Sequence, residues 1–254
     1  MAGAFDLSGK AALVTGGNGG IGLGMAKGLA NAGASLVIAA RDPRKMEAAL
    51  AELRGLGARC EALEADVADA AACRTMVATA ASKLGRLDIL VNNAGVARGG
   101  RPEALRLEDW NLVLQTNLTA ALVAAQAAHP IMKAQGGGKI VNIGSMYALF
   151  GAPGVPAYAA SKGGLIQLTK SLAAAWARDN IQVNAILPGW ITTEMTAGAK
   201  GAEAFDAAIV ARTPARRWGE PADFEGPAVF LASAASDFVT GASLAVDGGF
   251  AISG

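Results

Sequence analysis

The stretch KAALVTGGNGGIGLGMAKGLANAG (10–33) decides the fold, because it joins a short apolar run directly to a helical pattern through a cluster of glycines. Five of the seven residues in 16–22 are glycine, more than a tight turn requires. Glycine permits positive φ and a close approach of the backbone to a ligand. The first amides of the helix that follows would face a pyrophosphate. We therefore predict dinucleotide binding here, and a tight strand-to-helix turn without a ligand is the plainer alternative. The predicted residues are Gly16, Asn18, Gly19, Gly20, Ile21 and Gly22.

The same alternation of strand and helix patterns continues to the end of the chain. Ala- and Leu-rich segments of helical period separate the apolar runs, which predicts an α/β fold: a Rossmann-type doubly wound sheet of seven mostly parallel strands with helices on both faces. No repeat or change of composition divides residues 1–254, so we expect a single dinucleotide-binding catalytic domain. Gly and Pro interrupt a region at about 190–218, which we expect to be a flexible substrate loop. The seven predicted strands are 10–16, 35–41, 60–66, 88–94, 139–145, 182–188 and 243–249.

Composition excludes several classes of function. The 254 residues are 52% hydrophobic and 17% charged, and the net charge is +1. We therefore expect no nucleic-acid partner and no membrane surface, since both require clustered Lys and Arg. No apolar run reaches membrane-spanning length, and the N-terminus MAGAFDLSGK has no signal-peptide pattern, so we expect a cytoplasmic location. Two cysteines and one histidine without ligand spacing predict no metal site.

The end of the second predicted strand bears on the choice of cofactor. A carboxylate here would bind the ribose diol of NAD, whereas an arginine would accommodate the 2′-phosphate of NADP. Ala40 stands where the acid is expected and Arg41 follows it, with Arg44 and Lys45 nearby. This arrangement favours NADP(H). NAD(H) is the alternative, because Asp42 could pair with Arg41 or repel a phosphate.

Two further strand ends carry polar groups that suit the cofactor. Asp66, followed by Val67, could accept a hydrogen bond from an adenine amino group, or could belong to the start of the next helix. Asn93, Ala94 and Gly95 follow the fourth strand, at the edge where ligands bind in doubly wound sheets. We predict that all five residues contact the cofactor.

A tyrosine and a lysine four residues apart mark the predicted reacting centre. Residues at i and i+4 share one helix face, so Tyr158 and Lys162 would point the same way. A neighbouring ammonium lowers the pKa of a phenol, and the phenol can then exchange a proton with a substrate oxygen. Ser145, at the end of the fifth strand, could hydrogen-bond the same oxygen. Taken alone, the tyrosine could be a core residue and the lysine a surface one.

Taken together, these motifs resemble the short-chain dehydrogenase/reductase family over essentially the whole chain. The matching motifs are T-G-x-x-x-G-x-G at 15–22, N-N-A-G at 92–95, Ser145, Y-x-x-x-K at 158–162 and P-G at 188–189. The resemblance implies that Tyr158 donates and accepts the proton, and that Lys162 lowers the tyrosine's pKa and binds the nicotinamide ribose. It also implies that Ser145 orients the substrate.

The resemblance extends to residues that spacing alone would not select. It implies that Asn117 holds a water in a proton relay, and that Thr193 and Ile191 contact the nicotinamide carboxamide. Pro188 and Gly189 would form the turn beneath the nicotinamide. Members of this family are mostly tetramers, so we expect a homotetramer.

Within the family, the chain is most similar to gluconate 5-dehydrogenases and 2-deoxygluconate 3-dehydrogenases, which implies a sugar, sugar acid or polyol as the small-molecule substrate. Arg98 could clamp a carboxylate or could be a solvated loop residue, and Met146 and Trp190 would add apolar walls. Such walls suit a less polar ketone. The alternatives are a 3-oxoacyl carrier-protein reductase, a broad ketone or keto-ester reductase, and a nucleotide sensor that is not an enzyme.

Overall fold

The computed structural model describes residues 3–253, which contain one seven-stranded sheet in the order β3-β2-β1-β4-β5-β6-β7. Every pairing of neighbouring strands is parallel, so the predicted doubly wound fold is confirmed. Each strand lies within one residue of its predicted run or inside it. The strands are β1 Ala11–Thr15, β2 Ser35–Ala40, β3 Cys60–Glu64, β4 Ile89–Asn92, β5 Gly138–Ile143, β6 Ile181–Pro188 and β7 Ser243–Val246.

Helices cover both faces of the sheet, as alternate residues of β1 show. Ala12 and Val14 face one apolar core, and Leu13 faces the other. Because both faces are buried, the central strands are apolar throughout rather than alternating. The helices are α1 Gly20–Asn31, α2 Pro43–Gly55, α3 Ala70–Leu84, α4 Leu107–Leu114, α5 Ala120–Ala134, α6 Pro156–Trp176, α7 Ala197–Lys200, α8 Glu203–Arg212 and α9 Glu225–Ala232.

Local chemistry explains where two of these helices begin. The Asp42 carboxylate accepts hydrogen bonds from the amides of Arg44 and Lys45 at the start of α2. Asp69 caps α3 in the same way. In contrast, α1 begins after Gly19 with no side-chain cap. Its first amides therefore remain available to a ligand.

The strand order reverses between β1 and β4, because their connections run to opposite sides of the sheet. In doubly wound sheets this switch point opens a crevice at the carboxyl ends of the strands. The crevice lies beside α4 and α5, which are joined by a π-helical turn at Gln115–Thr119. That turn contains Asn117. The periodicity of the sequence had not explained why an asparagine stands in the middle of this helix. Single π-turns of this kind occur frequently at functional sites.

The predicted substrate loop leaves the sheet after β6 and returns through one β-bridge between Ile191 and Gly219. The Thr192 amide donates to the Gly219 carbonyl, and the Gly219 amide donates to the Trp190 carbonyl, each over 2.9 Å. We call residues 192–218, which include α7 and α8, the loop segment. It lies within the region of about 190–218 for which the sequence predicted a flexible substrate loop.

Within residues 3–253, no helix combines the length and hydropathy that a membrane crossing requires. The same part of the chain contains no group of three or more His, Cys, Asp or Glu side chains placed to hold a metal ion. Cys60 and Cys73 are free thiols in the core.

Candidate active site

A cleft of about 570 Å³ opens at the carboxyl ends of the strands. Each residue predicted from the sequence to bind the cofactor lines it. Those residues are Gly16, Asn18, Gly19, Gly20, Ile21, Gly22, Arg41, Asp66, Val67, Asn93, Ala94, Gly95, Tyr158, Lys162, Pro188, Gly189, Ile191 and Thr193. The volume is in the range of sites that enclose a small organic ligand.

The glycine turn is held against the end of β4 by a side-chain amide. The Nδ2 group of Asn93 donates to the carbonyls of Thr15 and Gly16 over 2.9 and 3.1 Å. Gly16 has a φ of 65°, which favours glycine. A Cβ on Gly22 would collide with the Gly16 carbonyl and the Asn93 side chain. The turn therefore has room for glycine only at both positions.

This turn fits the pyrophosphate of a dinucleotide. A Cβ on Gly19 would meet nothing within 4 Å, so the backbone there faces the open cleft. The uncapped start of α1 presents backbone amides and the positive end of its dipole to the same space. The cradle matches an anionic diphosphate in both shape and charge.

The opposite end of the cleft, beyond β2, is lined by charged side chains of both signs. The Arg41 guanidinium is 67% exposed, and its only ion pair within residues 3–253 is a 3.9 Å contact with Asp66. The Asp42 carboxylate caps α2 and forms no ion pair with Arg41, which answers one part of the alternative raised from the sequence. Lys45 also lines the cleft and pairs with Glu194 of the loop segment over 2.5 Å. Sequence reasoning missed Glu194, because its partner is 149 residues away in the chain.

The three residues predicted to carry the chemistry meet at the centre of the cleft. Ser145, Tyr158 and Lys162 all line it. The Nζ atom of Lys162 lies 5.5 Å from the centre of the Tyr158 ring. It donates a 2.6 Å hydrogen bond to the carbonyl of Ile143, at the end of β5. Helix α6 thus carries the tyrosine and the lysine to the strand end that carries the serine.

Burial controls the proton affinities at this centre. Burial raises the pKa of Tyr158, an effect that the hydrogen bond from Ser145 opposes and the neighbouring Tyr147 phenol reinforces. Burial lowers the pKa of Lys162 from 10.5 to about 8. The sequence-based expectation was that Lys162 lowers the pKa of Tyr158. In the structure, desolvation is the largest influence on the pKa of the phenol, since it disfavours the charged form.

Asn117 lies one layer behind the cleft. Its side chain accepts a hydrogen bond from the Val96 amide over 2.8 Å and donates to the Val96 carbonyl over 2.9 Å. It also donates to the hydroxyl of Ser161 on α6. Asn117 therefore connects the strand end after N-N-A-G to the helix that carries Tyr158 and Lys162.

Three of the predicted substrate residues lie outside the cleft. Arg98, Met146 and Trp190 do not line the cleft. The Arg98 guanidinium is half exposed and lies 3.6 Å from the Asp109 carboxylate. Met146 is 3% exposed and packs in an apolar cluster with Trp218 and other residues. The carboxylate-clamp interpretation of Arg98 therefore requires its ion pair with Asp109 to open.

Aromatic side chains form a wall beside the reacting centre. The ring of Tyr147 lies edge-on to Tyr158 at 6.4 Å and to Trp190 at 6.2 Å. Trp190 in turn contacts Phe205 of the loop segment at 5.1 Å and Trp218 at 5.4 Å. These five residues, which we call the aromatic wall, come from five separate segments of the chain. Of the five, Tyr158 and Trp190 had been selected from the sequence as substrate residues.

Comparisons with known proteins agree with this geometry. A family model described as enoyl-(acyl carrier protein) reductase matches residues 16–251. A 2-dehydro-3-deoxy-D-gluconate 5-dehydrogenase of Escherichia coli is 44% identical over 251 residues, which are 97% of each chain. Gluconate 5-dehydrogenase of Gluconobacter oxydans is 41% identical over 249 residues, 98% of this chain and 97% of that protein. The solved structure of a gluconate 5-dehydrogenase from Burkholderia cenocepacia, in complex with NADP and tartrate, has a TM-score of 0.94 at 41% identity. It covers 99% of this chain and 98% of that one.

Proposed function

The chain belongs to the short-chain dehydrogenase/reductase family, and we propose that it transfers a hydride reversibly between NADP(H) and a secondary alcohol or ketone of a sugar acid. The observation that carries this proposal is the meeting of Ser145, Tyr158 and Lys162 in a cleft whose glycine turn fits a dinucleotide. A nicotinamide cofactor, when bound, accepts or supplies the hydride. The protein's task is then to position the substrate oxygen and to exchange its proton.

We assign the proton exchange to Tyr158. Its raised pKa keeps the phenol protonated at neutral pH, so it can donate to the oxygen of a ketone that is being reduced. Ser145 is a second hydroxyl beside the same place and would stabilise the developing negative charge. A protonated Lys162, 5.5 Å from the ring, favours the phenolate that remains after donation. In alcohol oxidation the same groups act in the opposite order.

We assign the cofactor preference to Arg41. Its exposed guanidinium stands at the end of β2, where a 2′-phosphate would lie, and Asp42 is engaged elsewhere. The relative of known structure from Burkholderia cenocepacia holds NADP, which supports this choice. NAD(H) is the alternative cofactor.

The substrate class rests on relatives over nearly the full length of the chain. The two named relatives act on gluconate or on a dehydro-deoxygluconate, both sugar acids. A carrier-protein reductase, the second candidate, would have to bind a large acidic protein, and these relatives do not favour it. A nucleotide sensor would have no use for the three-residue reacting centre.

The test of the reaction uses a panel of sugar acids, polyols, keto-esters, cyclic ketones and 3-oxoacyl thioesters, assayed with both cofactors. We expect turnover of a sugar acid such as gluconate and almost none of acyl thioesters. Replacing Tyr158 with Phe should abolish turnover and leave cofactor binding nearly intact. A Tyr158→Phe variant that retains a sizeable fraction of the parent rate would contradict the assignment of the proton donor.

The test of the cofactor is a fluorescence titration of NADPH and NADH with the parent and with Arg41→Ala. Loss of a charged hydrogen bond to phosphate should weaken NADPH binding by about tenfold or more. NADH binding should be nearly unchanged. Equal affinity of the two cofactors in the parent, or no effect of the substitution, would overturn the preference for NADP(H).

Three further expectations belong to the same proposal. We propose a homotetramer, which light scattering after size-exclusion chromatography would measure, and a cytoplasmic location. We also propose that the loop segment moves when substrate binds. Hydrogen exchange should then be faster in 192–218 than in the strands, and slower again once cofactor and substrate are present.

A further inference from the structure

Two tryptophans stand side by side at the base of the loop segment. Trp190 directly precedes the bridge residue Ile191, and Trp218 directly precedes its partner Gly219. Their ring centres are 5.4 Å apart at an interplanar angle of 68°. The backbone hydrogen bonds of the bridge hold the two ends of the loop segment together beside these tryptophans.

Both indoles carry a buried donor without an acceptor. The Nε1 atoms of Trp190 and Trp218 are shielded from solvent, and neither has a hydrogen-bond partner among the residues that the structure describes. They are the only such side-chain atoms found in residues 3–253. An indole N–H is a donor only, and an unsatisfied buried donor is costly. Two adjacent examples beside a candidate active site require an explanation.

An aromatic side chain of the loop segment packs against one of these indoles. Phe205, on α8, lies edge-on to Trp190 at 5.1 Å. Phe205 is itself 40% exposed, although its side chain is large and apolar. Displacement of α8 would uncover the indoles while the bridge keeps them in place.

The pair lies on the substrate side of the reacting centre. Trp190 follows Gly189, which lines the cleft, and its ring contacts Tyr147, whose ring contacts Tyr158. We propose that the Nε1–H groups of Trp190 and Trp218 bind two oxygens of the substrate, in its hydroxylated chain or its carboxylate. This inference rests on the proposed sugar-acid function and extends it to two named donors, of which Trp218 was not among the predicted substrate residues.

The chemistry of indole reconciles an aromatic wall with a polar substrate. A sugar acid presents C–H groups on its carbon skeleton and oxygens at every carbon. Indole rings can pack against the C–H groups while their N–H groups donate to the oxygens, as expected for an amphipathic side chain. A simple ketone gains only from the packing. The two donors therefore select for hydroxylated ketones over unsubstituted ones of similar size.

The experiment removes each donor and keeps the aromatic packing. Trp190→Phe and Trp218→Phe are compared with Trp176→Phe, whose ring stacks on His129 at the far end of α6. KM is measured for 5-keto-D-gluconate and for cyclohexanone. We expect each of the first two changes to raise KM for the sugar acid by about five- to tenfold, the effect of one lost hydrogen bond. KM for cyclohexanone should change less than twofold, and Trp176→Phe should leave both values unchanged.

A second replacement distinguishes loss of the N–H donor from damage to the fold. Incorporation of 3-benzothienylalanine at either position keeps the bicyclic shape and exchanges N–H for sulfur. It should give the same selective rise in KM while NADPH binding is retained. Parallel losses on both ketones would indicate a structural role and overturn the donor assignment, as would unchanged values on both. If the parent reduces cyclohexanone but no hydroxylated ketone, both the proposed function and the donor role of the two tryptophans are wrong. If the parent reduces 5-keto-D-gluconate and the tryptophan variants have the same KM as the parent, only the donor role of Trp190 and Trp218 is wrong.

Discussion

Replacement of Lys162 by Met should stabilise the folded protein while it abolishes turnover. Lys162 is 4% exposed, and its ammonium has one hydrogen-bond partner in the described chain, the carbonyl of Ile143 at 2.6 Å. No carboxylate within residues 3–253 pairs with it. Burial lowers its pKa from 10.5 to about 8, which means that the folded state disfavours the charged form. Met fills a similar volume without a charge.

The size and sign of the effect follow from this pKa. Each tenfold loss of proton affinity is worth about 1.4 kcal/mol, so the buried ammonium destabilises the folded state by about 3 kcal/mol at neutral pH. The folded pKa lies below the unfolded one, so the cost is fully present below pH 8 and disappears as the pH rises towards 10.5. Loss of the hydrogen bond to Ile143 offsets about 1 kcal/mol. We expect a net gain of about 2 kcal/mol at pH 7 and no gain at pH 10.

The assay is urea denaturation without cofactor, at one protein concentration, at pH 7 and pH 10. A fixed concentration removes any contribution from assembly. Lys170→Met, an exposed lysine two turns further along α6, is the matched control and should show no comparable gain at either pH. A Lys162→Met variant whose stability relative to the parent is the same at pH 7 and pH 10 would refute the reasoning, because only the charge of Lys162 makes the difference depend on pH.

Two other substitutions and one pH profile test the rest of the site. Gly22→Ala should reduce cofactor affinity by more than tenfold in a fluorescence titration, because its Cβ would collide with the Gly16 carbonyl. Gly163→Ala, where a Cβ meets nothing within 4 Å, should bind cofactor normally and raise the unfolding free energy by about 0.5–1 kcal/mol; equal affinities in the two variants would remove the steric argument. For ketone reduction, kcat/KM should stay level through neutral pH and fall only in the alkaline range, since burial raises the pKa of Tyr158 above 10.0. For alcohol oxidation it should rise towards that range, and a reduction rate that falls between pH 5 and pH 7 would contradict the assignment.

The sequence was sufficient to predict the strands and the residues that line the cleft, because both depend on short-range pattern. A strand buried on both faces is a short apolar run, and in a parallel sheet its last residue must lie at the ligand edge. The positions of Arg41, Asn93 and Ser145 follow from this rule alone. The motif spacing then indicated the family, and the comparisons confirm that membership.

Other features depend on contacts that no local pattern encodes. The π-turn at Asn117 is a change of hydrogen bonding within a continuous helix, and helical periodicity does not register it. The pairing of Lys45 with Glu194 arises just after the chain leaves the sheet, and that of Trp190 with Trp218 arises where the two ends of the loop segment meet. The raised pKa of Tyr158 reflects the depth of its burial, whereas the sequence displays only the nearby lysine. Spacing predicts which groups meet, and packing decides how strongly each is desolvated.

The departures from ordinary folding rules in this chain are concentrated around one cleft. A buried ammonium, a π-turn and two unpartnered indole donors each oppose the stability of the folded state or leave it unimproved. Features of this kind persist at functional sites, where they are tolerated because the rest of the structure is locally consistent. Here the remainder supplies that consistency: apolar strands covered on both faces and helices capped by Asp42 and Asp69. If Lys162→Met stabilises the fold and removes activity, the buried charge lowers stability and is retained because activity requires it. The same logic then applies to Trp190 and Trp218, whose donors are satisfied only when a substrate oxygen reaches them.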